Sequence, residues 1–112
     1  MQDITRDELV ALLDDGSIVL VEALSELHYH SGHIATAVNL PEQATAETAA
    51  AIAPDLHTTI VTYCSGPSCT RSKAAAIAFE KLGYADVRVY SGGKADWFDA
   101  GVPLAAAEPT AA

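Results

Sequence analysis

Short apolar runs alternate along this chain with longer segments of helical character. Apolar runs of this length are typical of strands that are covered on both faces of a sheet. The predicted strands are residues 17–22, 36–39, 58–63 and 87–90. The predicted helices are residues 6–14, 26–31, 45–52, 70–82 and 94–100. Strands that alternate with helices in this way predict an α/β domain whose parallel sheet has helices on both faces.

Cys64, at the end of the third apolar run, is the strongest indication of chemistry in the sequence. A loop rich in Gly, Pro and Ser follows it, and an alanine-rich helix begins near Thr70. Ligands of parallel sheets bind at the carboxyl ends of the strands, where the N–H groups of a helix N-terminus favour negative charge. Such surroundings stabilise a thiolate, so the pattern predicts a nucleophilic cysteine in an anion-binding loop. The alternative is a buried cysteine that only fills space.

Composition narrows the range of partners. The chain has 112 residues, enough for one domain, and a net charge of −9. Nucleic acids and anionic membranes both require clustered Lys and Arg, so we expect neither as a partner. The polar, acidic N-terminus lacks the features of a signal peptide, which predicts a cytoplasmic protein.

The cysteine and histidine spacings give no convincing metal site. Cys64 and Cys69 form a single C-x4-C pair, which is neither a disulfide framework nor a typical zinc motif. His28, His30 and His33 would have to converge to bind a metal. Histidines with this spacing commonly lie along a helix and the following turn without binding one. We therefore expect no metal and no cofactor.

Several segments resemble the rhodanese-like (sulfurtransferase) domain family, over about residues 4–104. Residues 32–41 (GHIATAVNLP) are similar to the family's G-H-I-P-G-A-x-N-I-P segment, and Tyr63-Cys64 to the strand end that carries its nucleophile. Arg71-Ser72 resembles the start of the helix behind that strand. Residues 82–97, which contain LGY, GG and a final Trp97, resemble the L-G-Y…G-G-x-x-x-W ending.

The resemblance implies a three-layer α/β sandwich around a mostly parallel five-stranded sheet. The domain would occupy residues 1–104, and residues 105–112 would form a flexible tail. Trp97 and Phe98 are predicted to be core residues, and His33 is predicted to fix its turn by hydrogen bonding to backbone.

The resemblance also assigns roles in the loop. It implies that Cys64 is the catalytic nucleophile. The predicted substrate-binding residues are Ser65, Gly66, Ser68, Cys69, Thr70 and Arg71. The family's six-residue loop ends in an arginine, whereas here the sixth residue is Cys69 and the arginine follows two places later. Either the loop is enlarged or Cys69 occupies the position of the cation. Leu24 also replaces an arginine that the family usually has near the site.

The implied activity is sulfur transfer. Cys64 would take sulfane sulfur from thiosulfate or a related persulfide, hold it as a cysteine persulfide, and pass it to cyanide or to a small-molecule or protein thiol. Cys69 would either resolve that persulfide or merely fill space at the helix start. One alternative is a non-catalytic binding or regulatory module. A less supported one is a phosphatase or arsenate reductase, whose C-x5-R loop is one residue shorter than the spacing here.

Overall fold

In the computed structural model, which describes residues 1–102 and 104–105, helices and strands alternate as the sequence predicts. The strands are β1 (Gln2–Asp3), β2 (Ile18–Glu22), β3 (Val38–Asn39), β4 (Thr59–Tyr63) and β5 (Asp86–Tyr90). The helices are α1 (Arg6–Asp15), α2 (Glu26–Ser31), α3 (Ala46–Ile52), α4 (Arg71–Lys81) and α5 (Gly93–Asp99).

The strands form one five-stranded sheet in the order β1-β5-β4-β2-β3. Every pairing between these five strands is parallel, so the predicted fold is confirmed. In register, Tyr63 on β4 lies between Glu22 on β2 and Tyr90 on β5. The carboxyl ends of the three inner strands therefore meet at one edge, and Cys64 lies at the centre of that edge.

The sheet is covered on both faces, and each face has its own apolar cluster. Because side chains alternate along a strand, β4 contributes Ile60 to one cluster and Val61 to the other. The first cluster packs α3 and α4 on the sheet through residues such as Ala49, Ala76 and Phe79. The second packs α1 and α5 through Leu9 and Trp97. Two clusters around one sheet make the predicted three-layer arrangement.

Local signals explain most element boundaries. Thr5 and Glu8 form the predicted capping box of α1, each side chain bonding the other residue's backbone N–H. The strand predicted from residue 36 begins only at Val38, because Thr36 adopts a left-handed φ of 74° in the preceding turn.

The prediction that Phe98 belongs to the core is wrong. Trp97 is 5% exposed, whereas Phe98 is 68% exposed. Successive residues on a helix point about 100° apart, so the helix turn that directs Trp97 onto the sheet directs its neighbour into solvent.

The C-terminal boundary of the domain stays a prediction. Ala105 exchanges two backbone hydrogen bonds of 2.7 Å with His33, in an isolated antiparallel bridge. Residues 106–112 of the predicted tail lie outside the described residues. Within the described part of the chain, no helix is long and apolar enough to cross a membrane.

Candidate active site

Cys64 lies where β4 meets the start of α4, and its side chain is only 1% exposed. Thr62 on β4 fixes this junction, because its Oγ1 donates a buried hydrogen bond of 2.8 Å to the carbonyl of Ser72 in the first turn of α4. Ser72 Oγ in turn lies 3.5 Å from Cys64 Sγ. The sulfur is therefore enclosed between the strand end and a helix N-terminus, and a thiolate formed there would lie beside the positive end of the helix dipole.

Helix α5 holds the beginning of the loop from the other side. Lys94 N donates to the Cys64 carbonyl at 3.0 Å, and Ala95 N donates to the Ser65 carbonyl at 2.9 Å. Gly93 makes this approach possible: it has a φ of +61°, and a Cβ there would lie 2.5 Å from the Cys64 carbonyl oxygen. Gly92-Gly93, the glycine pair that resembles part of the family's ending, therefore also brings the start of α5 into contact with Cys64.

The loop turns back on itself and joins its two cysteines. Cys69 N donates to the Gly66 carbonyl at 3.0 Å, which closes the turn. Cys64 and Cys69 form a disulfide with a Cα–Cα separation of 6.4 Å. Cys69 is partly exposed whereas Cys64 is enclosed.

The other predicted loop residues differ in their surroundings. Ser65, Ser68 and Thr70 are exposed, whereas Gly66 is buried. A Cβ on Gly66 would come within 3.3 Å of Ala95 Cβ, so a larger residue there would press on α5. Within the described residues, the Thr70 side chain makes no capping bond to α4, so it does not occupy the N–H groups of the first turn of that helix.

The Arg71 side chain extends to the segment after β3. Its Nη2 donates to the Pro41 carbonyl at 2.8 Å. The guanidinium lines a cavity of about 220 Å³ together with Ala23, Glu42, Ala74 and other residues. The structure therefore brings Cys64, Cys69 and Ser72 together and places Arg71 in a neighbouring cleft.

A buried ion pair beneath the loop was missed by the sequence analysis. Glu22 is fully buried, and its Oε1 accepts a 2.6 Å hydrogen bond from the Tyr63 hydroxyl. The Lys94 ammonium lies 3.1 Å from Oε2, in an ion pair without the geometry of a directed hydrogen bond, and donates to the His28 carbonyl at 2.7 Å. A carboxylate at the end of an apolar strand was the available signal, because such a group needs a cation.

Tyr63 connects this ion pair to the rest of the second apolar cluster. Its hydroxyl also accepts a 3.0 Å hydrogen bond from Ile34 N. Burial, followed by the hydrogen bond to Glu22, raises the pKa of Tyr63 far above its usual range. The hydroxyl therefore stays protonated and continues to donate to the carboxylate. Leu24, two residues after Glu22, stands where the family usually has an arginine, and it is buried at 5% exposure.

The histidine segment has a structural role at its turn. His33 Nδ1 lies 3.0 Å from the Tyr29 carbonyl, and the two rings stack at 3.8 Å, which confirms the predicted backbone bond. Among the residues that the structure describes, no group of His, Cys, Asp or Glu is placed to hold a metal ion.

Comparisons with known proteins agree with this architecture. A family model for the rhodanese-like domain matches residues 5–100. The HTH-type transcriptional regulator Rv0324 of Mycobacterium tuberculosis is 32% identical over 101 residues, which are 90% of this chain but only 43% of that protein. The chain thus spans less than half the length of this curated relative.

Solved structures show the same fold. The BH2092 protein from Bacillus halodurans superposes with a TM-score of 0.85 at 25% identity, over 94% of this chain and 77% of that one. The human single-domain sulfurtransferase TSTD1 gives a TM-score of 0.73 at 24% identity, over 88% and 96% of the two chains. A thiosulfate sulfurtransferase from Pseudomonas aeruginosa gives 0.78 at 23%, over 96% and 21%. With the family model covering most of its length, this chain belongs to the rhodanese-like domain family.

Proposed function

We propose that this domain is a sulfurtransferase that carries sulfane sulfur as a persulfide on Cys64. The observation that carries the proposal is the enclosure of the Cys64 sulfur at the carboxyl end of β4, beside Ser72 in the first turn of α4. The sulfurtransferases among its structural neighbours support the same reaction class.

The proposed reaction begins with reduction of the Cys64–Cys69 disulfide. The Cys64 thiolate then attacks the outer sulfur of thiosulfate, the bond between the two thiosulfate sulfurs breaks, and sulfite leaves with the bonding electron pair. The resulting Cys64 persulfide carries one negative charge. N–H groups in the first turn of α4 and the Ser72 hydroxyl are suited to stabilise that charge.

Electrostatics favour a small anionic donor that is bound locally. Because the chain carries a net charge of −9, long-range attraction of anions is absent and binding must rely on the backbone N–H groups of the loop and of the α4 N-terminus. Ser65, Gly66, Ser68 and Thr70 complete the proposed donor site, and Cys69 closes its turn through the backbone N–H. The proposed acceptor is cyanide or a small-molecule or protein thiol. A reducing cytoplasm would keep Cys64 available as a thiol.

A regulatory module is the second candidate. The observation that favours it is the 32% identity to a transcriptional regulator, of which this chain covers only 43%. Under this proposal the domain would respond to sulfur species on Cys64 without catalytic turnover. Stoichiometric persulfide formation with no turnover would support this candidate over the enzyme.

The experiment that tests the proposed function is a thiosulfate:cyanide assay on reduced protein. With cyanide in large excess, so that it competes with Cys69 for the persulfide, wild type should form thiocyanate, and Cys64→Ser should form none. The thermal transition of the variant should stay close to that of wild type, because the substitution is nearly isosteric. Equal thiocyanate formation by wild type and a folded Cys64→Ser variant would contradict the proposal.

A further inference from the structure

We propose that Cys69 is a resolving thiol, and that this domain therefore reduces sulfane sulfur to sulfide. In this reaction Cys69 attacks the Cys64 persulfide, sulfide leaves, and the disulfide between the two cysteines remains. The inference rests on the proposed function, because it begins from the Cys64 persulfide. It adds a second product, sulfide, and a second co-substrate, an external dithiol.

The loop geometry brings the two sulfurs within bonding range. The Cys64–Cys69 Cα separation of 6.4 Å falls within the range of protein disulfides. The turn between Gly66 and Cys69 is closed by a backbone hydrogen bond, so the approach of Cys69 does not depend on its side-chain chemistry. A thiol held so close reacts as if it were highly concentrated, which favours it over thiols in solution.

The supports on either side of the loop keep Cys64 in place. Its carbonyl is held by Lys94 N, and the Thr62–Ser72 hydrogen bond holds the helix start behind it. Cys69 thus approaches a fixed persulfide.

Cys69 is the sixth residue of the loop, and the Arg71 guanidinium is bonded to a residue outside the loop. That guanidinium donates to the Pro41 carbonyl, in the segment after β3. Of the two alternatives for the departure from the family's loop, this arrangement favours Cys69 in the position of the cation. The residue that faces the persulfide is then a thiol, which can react with it.

The atoms and electrons of the step balance. The Cys69 thiolate attacks the Cys64 sulfur, and a new S–S bond forms between the two cysteines. The bond to the terminal sulfur breaks, and that sulfur leaves with the electron pair. It takes up the proton that the Cys69 thiol lost on ionising, and departs as hydrosulfide. The two cysteine sulfurs are oxidised to a disulfide and the sulfane sulfur is reduced to sulfide, so no outside oxidant is needed.

Unequal exposure of the two cysteines gives the cycle a direction. Cys64 is 1% exposed, whereas Cys69 is partly exposed. An external dithiol would therefore attack Cys69 Sγ, and Cys64 would leave as the thiolate beside the α4 N-terminus. The second thiol of the reductant then releases Cys69 as a thiol. The nucleophile is the first group regenerated.

The test uses reduced protein, freed of small thiols and treated with thiosulfate alone. Wild type, Cys69→Ser and Cys64→Ser are compared by intact mass and by trapping of released sulfide. Wild type should release about one equivalent of sulfide per chain and return to the disulfide mass. Cys69→Ser should instead gain about 32 Da as a stable Cys64 persulfide and release sulfide at least about tenfold more slowly. Cys64→Ser should do neither.

Further outcomes separate this inference from the proposed function. If wild type keeps a stable persulfide and releases no more sulfide than Cys69→Ser, the resolving role is wrong while persulfide formation stands. If wild type, Cys69→Ser and Cys69→Ala all gain no sulfur and release no sulfide, the proposed function fails and the resolving step fails with it. Dithiothreitol added to persulfidated Cys69→Ser should restore sulfide release, which supports resolution by a thiol.

Discussion

Replacement of Lys94 by methionine should strongly destabilise the domain. Lys94 supplies the ammonium that lies 3.1 Å from the fully buried carboxylate of Glu22. Methionine keeps most of the apolar length of the side chain but removes the charge. The Glu22 carboxylate would then remain buried, with a hydrogen bond from the Tyr63 hydroxyl but without its cation.

The structure sets the magnitude of this effect. Removing one member of a buried ion pair costs about 3–5 kcal/mol, because the other charge is left without compensation. The Lys94 side chain retains 14% exposure, so some water reaches the pair and we expect the low end, about 3 kcal/mol. If Glu22 is first changed to glutamine, the same Lys94→Met substitution should cost only about 1 kcal/mol.

Urea denaturation of wild type, both single variants and the double variant measures this coupling. Lys73→Met is the matched control, because Lys73 is an exposed lysine of α4 and its loss should change stability by less than about 0.5 kcal/mol. An equal cost of Lys94→Met in the wild-type and Glu22→Gln backgrounds would refute the ion pair as a stabilising unit. A cost no larger than that of Lys73→Met would refute it as well.

Three further predictions test separate parts of the structure. Trp97→Ala should lower the free energy of unfolding by roughly 3–5 kcal/mol, because the ring is buried. Phe98→Ala, at the neighbouring exposed position, should lower it by less than about 0.5 kcal/mol. Equal costs would contradict the assignment of the α5 faces. A hydrogen bond from Arg88 holds the pKa of Asp86 below its ordinary 3.8. Asp86→Asn should therefore lower stability at neutral pH by about 0.5 kcal/mol. The difference in stability between wild type and this variant should vanish as pH falls through the depressed pKa. A difference that grows in acid would contradict this. Arg71→Ala should change KM for thiosulfate by less than about twofold, because the Arg71 guanidinium is bonded to the Pro41 carbonyl, and a rise of about tenfold in KM would show that Arg71 binds the donor.

The main elements could be predicted because local sequence determines them. The apolar runs before Glu22, Cys64 and Ser91 are long enough to mark inner strands, and Thr5 with Glu8 marks a helix start without reference to the rest of the chain. The position of Cys64 followed from the same logic, because an inner parallel strand must end at the edge where ligands bind.

Features that depend on distant contacts could not be read in this way. Strand β1 has two exposed polar residues and exists through its pairing with Arg88 and Val89. The ion pair between Glu22 and Lys94 joins two elements that only the sheet order brings together. The direction of Arg71 depends on the Pro41 carbonyl, which lies in a separate loop.

The mass of the Cys69→Ser variant tests the central claim most directly, since this variant can hold a persulfide but cannot resolve it. The reduced variant is incubated with thiosulfate, and its intact mass is measured by mass spectrometry. The protein is then digested to locate any added sulfur. We predict a gain of about 32 Da that is located on Cys64 and removed by dithiothreitol. An unchanged mass in the folded, reduced variant would contradict the claim that Cys64 carries sulfane sulfur.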